Sequence, residues 1–396
     1  MSTQEIAYLD CAATTPLVSD VLAAMMPYLS ECYGNASGSY SHGRRAKAGL
    51  EEARAAVAAA LGCQAAEVVF TSGGSESDNL ALRGVALAKR AAGTGRAAHL
   101  VTTAVEHEAV LATVHQLESL FDFGCTVVGV DSCGRVDVDA LMSALRPETV
   151  LVSVMLANNE VGTLQPIAEI GARLRQRGVT FHTDAVQAAA WVDLDVERLN
   201  VDLMSLSAHK FYGPKGVGIL YVRQGTPLDP VQTGGGQESG RRSGTSNVAG
   251  AVGLARALAL AVAERDAAVA QVTAQRDRLI RGLGELPGVR LTGHPTDRLP
   301  NHASFCIEGV RADALLLGLD MRGICASSGS ACSSGKMSPS HVLQAMGVPA
   351  ELANGALRFS LGRYTEDWEV DRVLALLPGL IERMRAVNGR GWAGGE

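Results

Sequence analysis

Lysine is nearly missing from this 396-residue chain: Lys47, Lys89, Lys210, Lys215 and Lys336 are the whole supply. Positive charge is in deficit overall, 35 Lys and Arg against 41 Asp and Glu, which argues against direct nucleic-acid binding and against an anionic membrane as partner. The opening residues, Met1-Ser2-Thr3-Gln4-Glu5, carry neither a basic nor an apolar segment, and no apolar run is long enough to span a bilayer. A soluble, cytoplasmic protein with no membrane partner is therefore expected. The eight cysteines include no CxxC pair, so no zinc ribbon, disulfide framework or other metal site is expected, and most of them should be buried small hydrophobes. Internal repeats are absent too, and the only low-complexity stretch is the tail from 389 to 396.

What is present begins with one of the five lysines. Lys47 and Lys89 stand in Ala/Arg-rich helical patterns and read as solvated faces, and Lys336 lies in a Ser/Gly loop. Lys210 alone follows an apolar strand directly, in Ser207-Ala208-His209-Lys210-Phe211-Tyr212-Gly213-Pro214. That is where α/β folds place catalytic groups. A partly desolvated lysine there has a lowered pKa and forms Schiff bases with carbonyls; the plainer reading is a surface ion pair near a turn.

Around it the pattern alternates between strand and helix. Pro16 suits the start of a helix whose apolar spacing runs over 21–29, residues 34–43 read as a Gly/Ser/Asn loop, and 46–61 as an amphipathic helix. Strands are expected at 68–70, 100–102, 126–130, 150–156 and 179–182, with helices from about 76, at 109–120, at 138–145 and at 167–177. This order predicts a mainly parallel sheet covered on both faces. Residues 216–222 close it with an extended segment. Residues 248–284 read as one long Ala/Leu/Arg-rich helix connecting to a smaller α+β unit, with strands at 289–291, 303–307 and 357–359 and helices at 313–319 and 370–385.

Chemistry-bearing residues gather at the strand ends. Thr71-Ser72-Gly73-Gly74-Ser75-Glu76-Ser77 combines a turn, small hydroxyls and a helix start, which makes either a phosphate seat or an ordinary capped turn. No P-loop lysine accompanies it, so a nucleotide triphosphatase is disfavoured. Asp184, with Gln187 three residues on, either pairs with a protonated ring nitrogen or caps a turn. His107 either lies flat over an aromatic group or is a loop histidine. Asn158-Asn159 suits a phenolate, a carboxylate or simply a turn. Residues 234–245, with Arg241, Arg242 and Thr245, form a basic hydroxyl-bearing loop that touches a phosphate or is an exposed linker. Arg358 sits inside an apolar strand and must be paired, with a substrate carboxylate or with a structural acid. Ser327-Ser328-Gly329-Ser330-Ala331-Cys332-Ser333-Ser334-Gly335 surrounds a cysteine with small residues only, which favours a reactive thiol. Six extended residues on either side give its sulfur a reach of about 20 Å.

As an ordered set these motifs resemble the cysteine desulfurases of the NifS/IscS class, fold-type I pyridoxal 5'-phosphate (PLP) enzymes of the class-V aminotransferase family. The resemblance runs from Tyr8 to Arg363. It implies an α/β fold with a mainly parallel seven-stranded sheet between helices plus a smaller α+β domain: a large PLP-binding domain at 15–260, and a small domain of 1–14 with 261–396 carrying the Cys332 loop. It implies that Lys210 holds PLP, that Asp184 pairs with its ring nitrogen, and that His107 stacks on the ring. Gln187 and Asn159 are implied for the phenolic oxygen or substrate, and Gly74, Ser75, Ser207 and His209 for the phosphate. Thr245 is implied to reach the phosphate of a partner subunit, which requires a homodimer. Arg358 is implied to grip the carboxylate of L-cysteine, with Asn35. Cys332 is then the nucleophile that takes sulfur and passes it to an acceptor protein, for iron–sulfur cluster, thio-tRNA or DNA phosphorothioate synthesis. The chain departs from the class in having Gly34-Asn35-Ala36-Ser37 where Gly-Asn-Pro is usual, Ser75 for threonine and Ala208 for glycine. Other fold-type I enzymes, such as a selenocysteine lyase or an aminotransferase, and a non-catalytic sulfur-relay protein are the alternatives.

Overall fold

The computed structural model describes residues 5–93, 98–329 and 340–389. Cys332, Ser330 and Lys336 lie outside the described residues. In chain order the elements are β1 (Ala7–Tyr8), α1 (Ser19–Ser30), α2 (Ser41–Leu61), β2 (Val68–Thr71), α3 (Gly74–Ala91), β3 (His99–Thr103), α4 (Glu108–Phe121), β4 (Gly124–Val128), α5 (Val138–Ser143), β5 (Thr149–Ser153), α6 (Ile167–Gln176), β6 (Thr180–Asp184), α7 (Val196–Leu199), β7 (Leu203–Ser207) and β8 (Gly218–Val222). There follow α8 (Val248–Gly284), β9 (Val289–Leu291), β10 (His302–Ile307), α9 (Ala312–Asp320), β11 (Ile324–Cys325), α10 (His341–Ala345), α11 (Ala350–Ala353), β12 (Ala356–Ser360) and α12 (Asp367–Gly389).

Seven strands make the main sheet in the order β2-β8-β7-β6-β5-β3-β4, and β8 alone runs against its neighbours. Each strand alternates its apolar residues between two cores. Leu100, Leu151, Leu203 and Leu220 pack under α3 and α4 with Leu80, Val85 and Val114. Val101, Val152, Met204 and Ile219 face the other side, with Leu50 and Val57 of α2, Ile170 of α6 and Leu254 of α8. A leucine buried this way contributes about 1.5–3 kcal/mol. Two residues further along, the row on the α3 side turns polar: Thr102, Ser153, His182 and Ser205. The sheet thus carries a dry layer and, at the carboxyl ends of its parallel strands, a polar one.

α8 runs 37 residues without interruption, about 55 Å at 1.5 Å per residue. It packs on α1, α2 and α12, with Gly253 against Met25 of α1 and Gly282 against Leu374 of α12. The C-terminal part adds an antiparallel sheet, β12-β10-β9, and β1 pairs in parallel with β11. The amino-terminal segment is therefore stitched to the C-terminal part, with Asp10 bridging to Ser360.

The structure departs from the sequence reading in the bounds of β4, which ends at Val128 and not 130, and of β5, which ends at Ser153 and not 156, and at three further places. α2 begins at Ser41, not 46, because Gly43 fits against the carbonyls of Asn35 and Gly38, where a Cβ would come within 2.4 Å of Gly38 O; the loop 34–38 wraps the helix start. Pro16 lies before α1, whose cap is Val18. Of the seven described cysteines only Cys11 and Cys306 are fully buried, and the others are partly exposed, since they sit at element edges.

Candidate active site

The carboxyl ends of β2, β3, β5, β6 and β7 surround a cleft of about 380 Å³, within the range of small-molecule pockets. It brings together ten residues singled out from the sequence: Gly74, Ser75, His107, Asn159, Asp184, Gln187, Ser207, His209, Lys210 and Arg358. Two others stand apart. Thr245 lines a separate recess with Phe70, Thr71, Ser72 and Arg242. Asn35 accepts a hydrogen bond from Ser37 N at 2.9 Å and does not line the cleft.

Lys210 ends a short 3-10 turn, Ala208–Lys210, directly after β7. The turn is fixed by Tyr212, which adopts a left-handed φ of 69° that non-glycine residues seldom take. Tyr212 N donates to Thr15 Oγ1 at 2.7 Å, its hydroxyl accepts from Arg363 N at 2.8 Å, and the Arg363 guanidinium lies 4.6 Å from its ring centroid. Lys210 Nζ donates to Ala12 O at 2.6 Å and Ala13 O at 2.8 Å. Burial, with Arg358 nearby, pulls its pKa down to about 8, despite the opposing carboxyls of Asp10 and Asp184. An amine so placed is about one-tenth neutral at pH 7, against well under one-hundredth for an ordinary lysine.

Asp184 forms part of the floor. Its Oδ1 accepts from Val186 N at 2.9 Å, and burial raises its pKa. Asp78, one turn into α3, lines the same cleft; it is fully buried, and burial beside Asp184 raises its pKa strongly. Its Oδ1 has no hydrogen-bond partner among the described residues and lies 3.7 Å from His182 Nε2. His182 offers no charge in return. Its ring nitrogens meet Ser153 Oγ at 2.8 Å and Ser205 Oγ at 3.0 Å, and burial pushes its pKa down to about 3. Glu106, beside His107, is a third buried acid. It accepts from Thr103 Oγ1 at 2.5 Å and Met155 N at 3.0 Å, its Oε2 is unpartnered among the described residues, and burial raises its pKa to about 8.

The walls are polar. His107 caps α4, its Nδ1 accepting from Ala109 N. Gln187 Nε2 donates to Ala12 O at 3.0 Å, and His209 Nδ1 meets Thr14 Oγ1 at 3.2 Å. Arg358 is ion-paired: Nη2 donates to Asp10 Oδ1 at 2.7 Å and Nη1 to Asn159 O at 2.6 Å. Asn158, in contrast, is structural, its Oδ1 accepting from Glu160 N and Val161 N. The loop 234–245, for which the sequence left a phosphate contact and an exposed linker open, is tied down by Arg242 to Glu76 at 2.7 Å and by Glu238 to Arg54 at 2.7 Å.

Sequence reasoning passed over Asp10, Ala12, Ala13, Asp78 and Met155. Asp78 had a signal: it lies four residues after Gly74 on the same helical face. The contacts of Asp10, Ala12 and Ala13 join residues nearly two hundred or more positions apart and had none.

A model of the family described as "Aminotransferase class-V" matches residues 7–373. The chain belongs to this family. It is 47% identical over 381 residues to a protein of Methanosarcina thermophila named cysteine desulfurase IscS, covering 96% of this chain and 93% of that one. Among solved structures, one described as a NifS-like protein superposes with a TM-score of 0.87 at 38% identity, covering 97% of this chain and 99% of the other. Another, described as SspA in complex with cysteine, has a TM-score of 0.79 at 35% identity over 91% of this chain and 99% of that one. The fold is that of the fold-type I PLP enzymes, and PLP is the cofactor of this family.

The residues present fit that cofactor. A buried carboxyl that receives a backbone N–H from Val186 and is held by no arginine among the described residues suits a protonated ring nitrogen. The first-turn N–H groups of α3, which lack intrahelical acceptors, suit a phosphate together with Ser75, Ser207 and His209. Gly74 gives the close approach, since a Cβ there would come within 2.8 Å of Val186.

Proposed function

We propose that the protein is a cysteine desulfurase: it takes sulfur from L-cysteine, releases L-alanine and holds the sulfur as a persulfide on Cys332. The observation that carries this reading is Lys210, an amine of lowered pKa, in one cleft with Asp184 and Arg358, in a chain whose full-length relative carries that name.

When bound, PLP supplies an electron sink for charge that develops at the substrate Cα. Lys210 would hold it through Nζ, Asp184 would face its ring nitrogen, His107 would lie on the ring, and Gly74, Ser75, Ser207 and His209 would bind its phosphate. Asn159 and Gln187 would contact the phenolic oxygen or the substrate. Arg358 would receive the substrate carboxylate. Lys210 Nζ, when not holding the cofactor, would accept the Cα proton of the substrate. The Cys332 thiolate attacks the substrate sulfur; an S–S bond forms, the C–S bond breaks, and the electron pair of that bond stays with the carbon fragment, which takes up protons and leaves as alanine. The free thiol pKa of about 8.5 calls for some activation of Cys332.

Thr245 lies outside this chain's cleft, which fits its use in the cleft of a second copy. Exposed Leu22, Met26, Leu29 and Tyr33 on and after α1 offer that copy an apolar surface. An acceptor protein then removes the sulfur, supplying iron–sulfur cluster, thio-tRNA or DNA phosphorothioate synthesis. Incubation with PLP and L-cysteine should yield alanine and a Cys332 peptide heavier by one sulfur. Cys332→Ser should abolish both while keeping the cofactor's visible absorption. Undiminished alanine release by Cys332→Ser would refute the nucleophile.

A further inference from the structure

Arg358 meets an acid before any substrate arrives. Its side chain is 5% exposed, its Nη2 is bound to Asp10 Oδ1 at 2.7 Å, its Nη1 to Asn159 O at 2.6 Å, and its Nε is buried without a partner among the described residues. Asp10 cannot swing away freely. Cys11 N donates to Ser360 O at 3.0 Å, Ala12 N to Ser360 Oγ at 2.9 Å, and Ser360 N to Leu9 O at 2.8 Å, so the backbone on both sides of Asp10 is fastened to the end of β12, two residues from Arg358. A carboxylate reaching this guanidinium finds one unpartnered Nε and an Nη2 already engaged, and it must sit beside another anion.

Resting on the reading that Arg358 receives the substrate carboxylate, we propose that Asp10 is a specificity-determining residue: it competes with that carboxylate for Arg358 and sets its affinity. The physical basis is charge balance in a partly buried site. An arginine with no partner would bind a carboxylate tightly, the alanine product included; an arginine that is already paired gains only the difference between sharing and exclusive pairing. Asp10 therefore weakens binding of any amino acid and favours product release, at no cost to the geometry of the guanidinium. It also acts on the lysine, because Asp10 and Arg358 shift Lys210 in opposite directions.

The test uses holoenzyme and two unreactive amines that differ only in the carboxylate, L-alanine and ethylamine, with binding followed by the cofactor's absorption. Asp10→Asn keeps the size of the side chain and an oxygen for Arg358. It should tighten L-alanine about tenfold and leave ethylamine unchanged, and KM for L-cysteine should fall more than kcat changes. Asp10→Ala should move L-alanine in the same direction. Unchanged or weaker L-alanine binding in both variants, or equal shifts for the two amines, overturns the proposal. Arg358→Gln is the separate control: if it leaves L-alanine affinity at the wild-type value, Arg358 is not the carboxylate site, whatever Asp10 does.

Discussion

Glu238 and Asp184 are both acids withdrawn from water, and their surroundings differ in almost every respect. Glu238 accepts from Arg54 Nη1 at 2.7 Å, Arg54 Nη2 at 2.9 Å and Phe70 N at 2.9 Å, and the Arg54 guanidinium also lies 4.9 Å from the Phe70 ring centroid. Every lone pair that matters is used, and the pair holds Glu238 in a left-handed φ of 48°. Asp184 receives one backbone N–H and sits among other acids, with Asp78 Oδ1 and Glu106 Oε2 nearby and unpartnered among the described residues. A closed ion pair fastens a loop. An open set of acids is costly to keep unless something cationic is meant to arrive. The contrast separates structural charge from functional charge on geometry alone.

The largest break in that comparison should come from removing the amine. Lys210→Ala should lower desulfuration by about 10⁴-fold and abolish covalent retention of the cofactor, measured as absorption surviving gel filtration. Asp184→Asn should follow, with a loss of about 10²–10³-fold in kcat and an altered absorption spectrum, because the ring nitrogen loses its anionic partner. On the structural side, Glu238→Ala leaves the buried Arg54 with only the exposed Glu51 carboxylate, 3.3 Å from its Nε, and the Val68 carbonyl. It should cost about 3 kcal/mol in urea unfolding while the folded fraction keeps its cofactor spectrum. A catalytic collapse without instability in this variant would erase the distinction drawn here.

The last test concerns pH. Glu106 carries a folded pKa of about 8, above its usual carboxyl range, so between roughly pH 4.5 and 8 the folded state holds more protons than the unfolded one. Stability from this group is therefore present at low pH and falls as pH rises toward 8. Glu106→Gln should flatten that fall, read as urea midpoints at pH 5.5 and 8.5. An unchanged slope would remove Glu106 from the set of open acids.

The strand-and-turn grammar carried most of the sheet, since apolar strands ending in Gly, Ser, Asp or Lys are local signals. Helix starts fared less well. The first turn of α2, Ser41-His42-Gly43, has poor helix formers, and the loop 34–38 that braces it is a tertiary partner. In the site, Lys210, Asp184 and His107 stood out because each follows a strand. Asp10 did not, because its meaning comes from a guanidinium 348 positions away.

The sequence by itself determined which chemical groups are available at the strand ends and in what order, because side-chain identity and the periods of strand and helix are local properties. Only the tertiary structure decided which acids are paired. Whether a carboxyl meets an arginine, as Glu238 and Asp10 do, or another carboxyl, as Asp184 does, depends on how distant segments pack, and charge balance in a low-dielectric interior is a property of that packing.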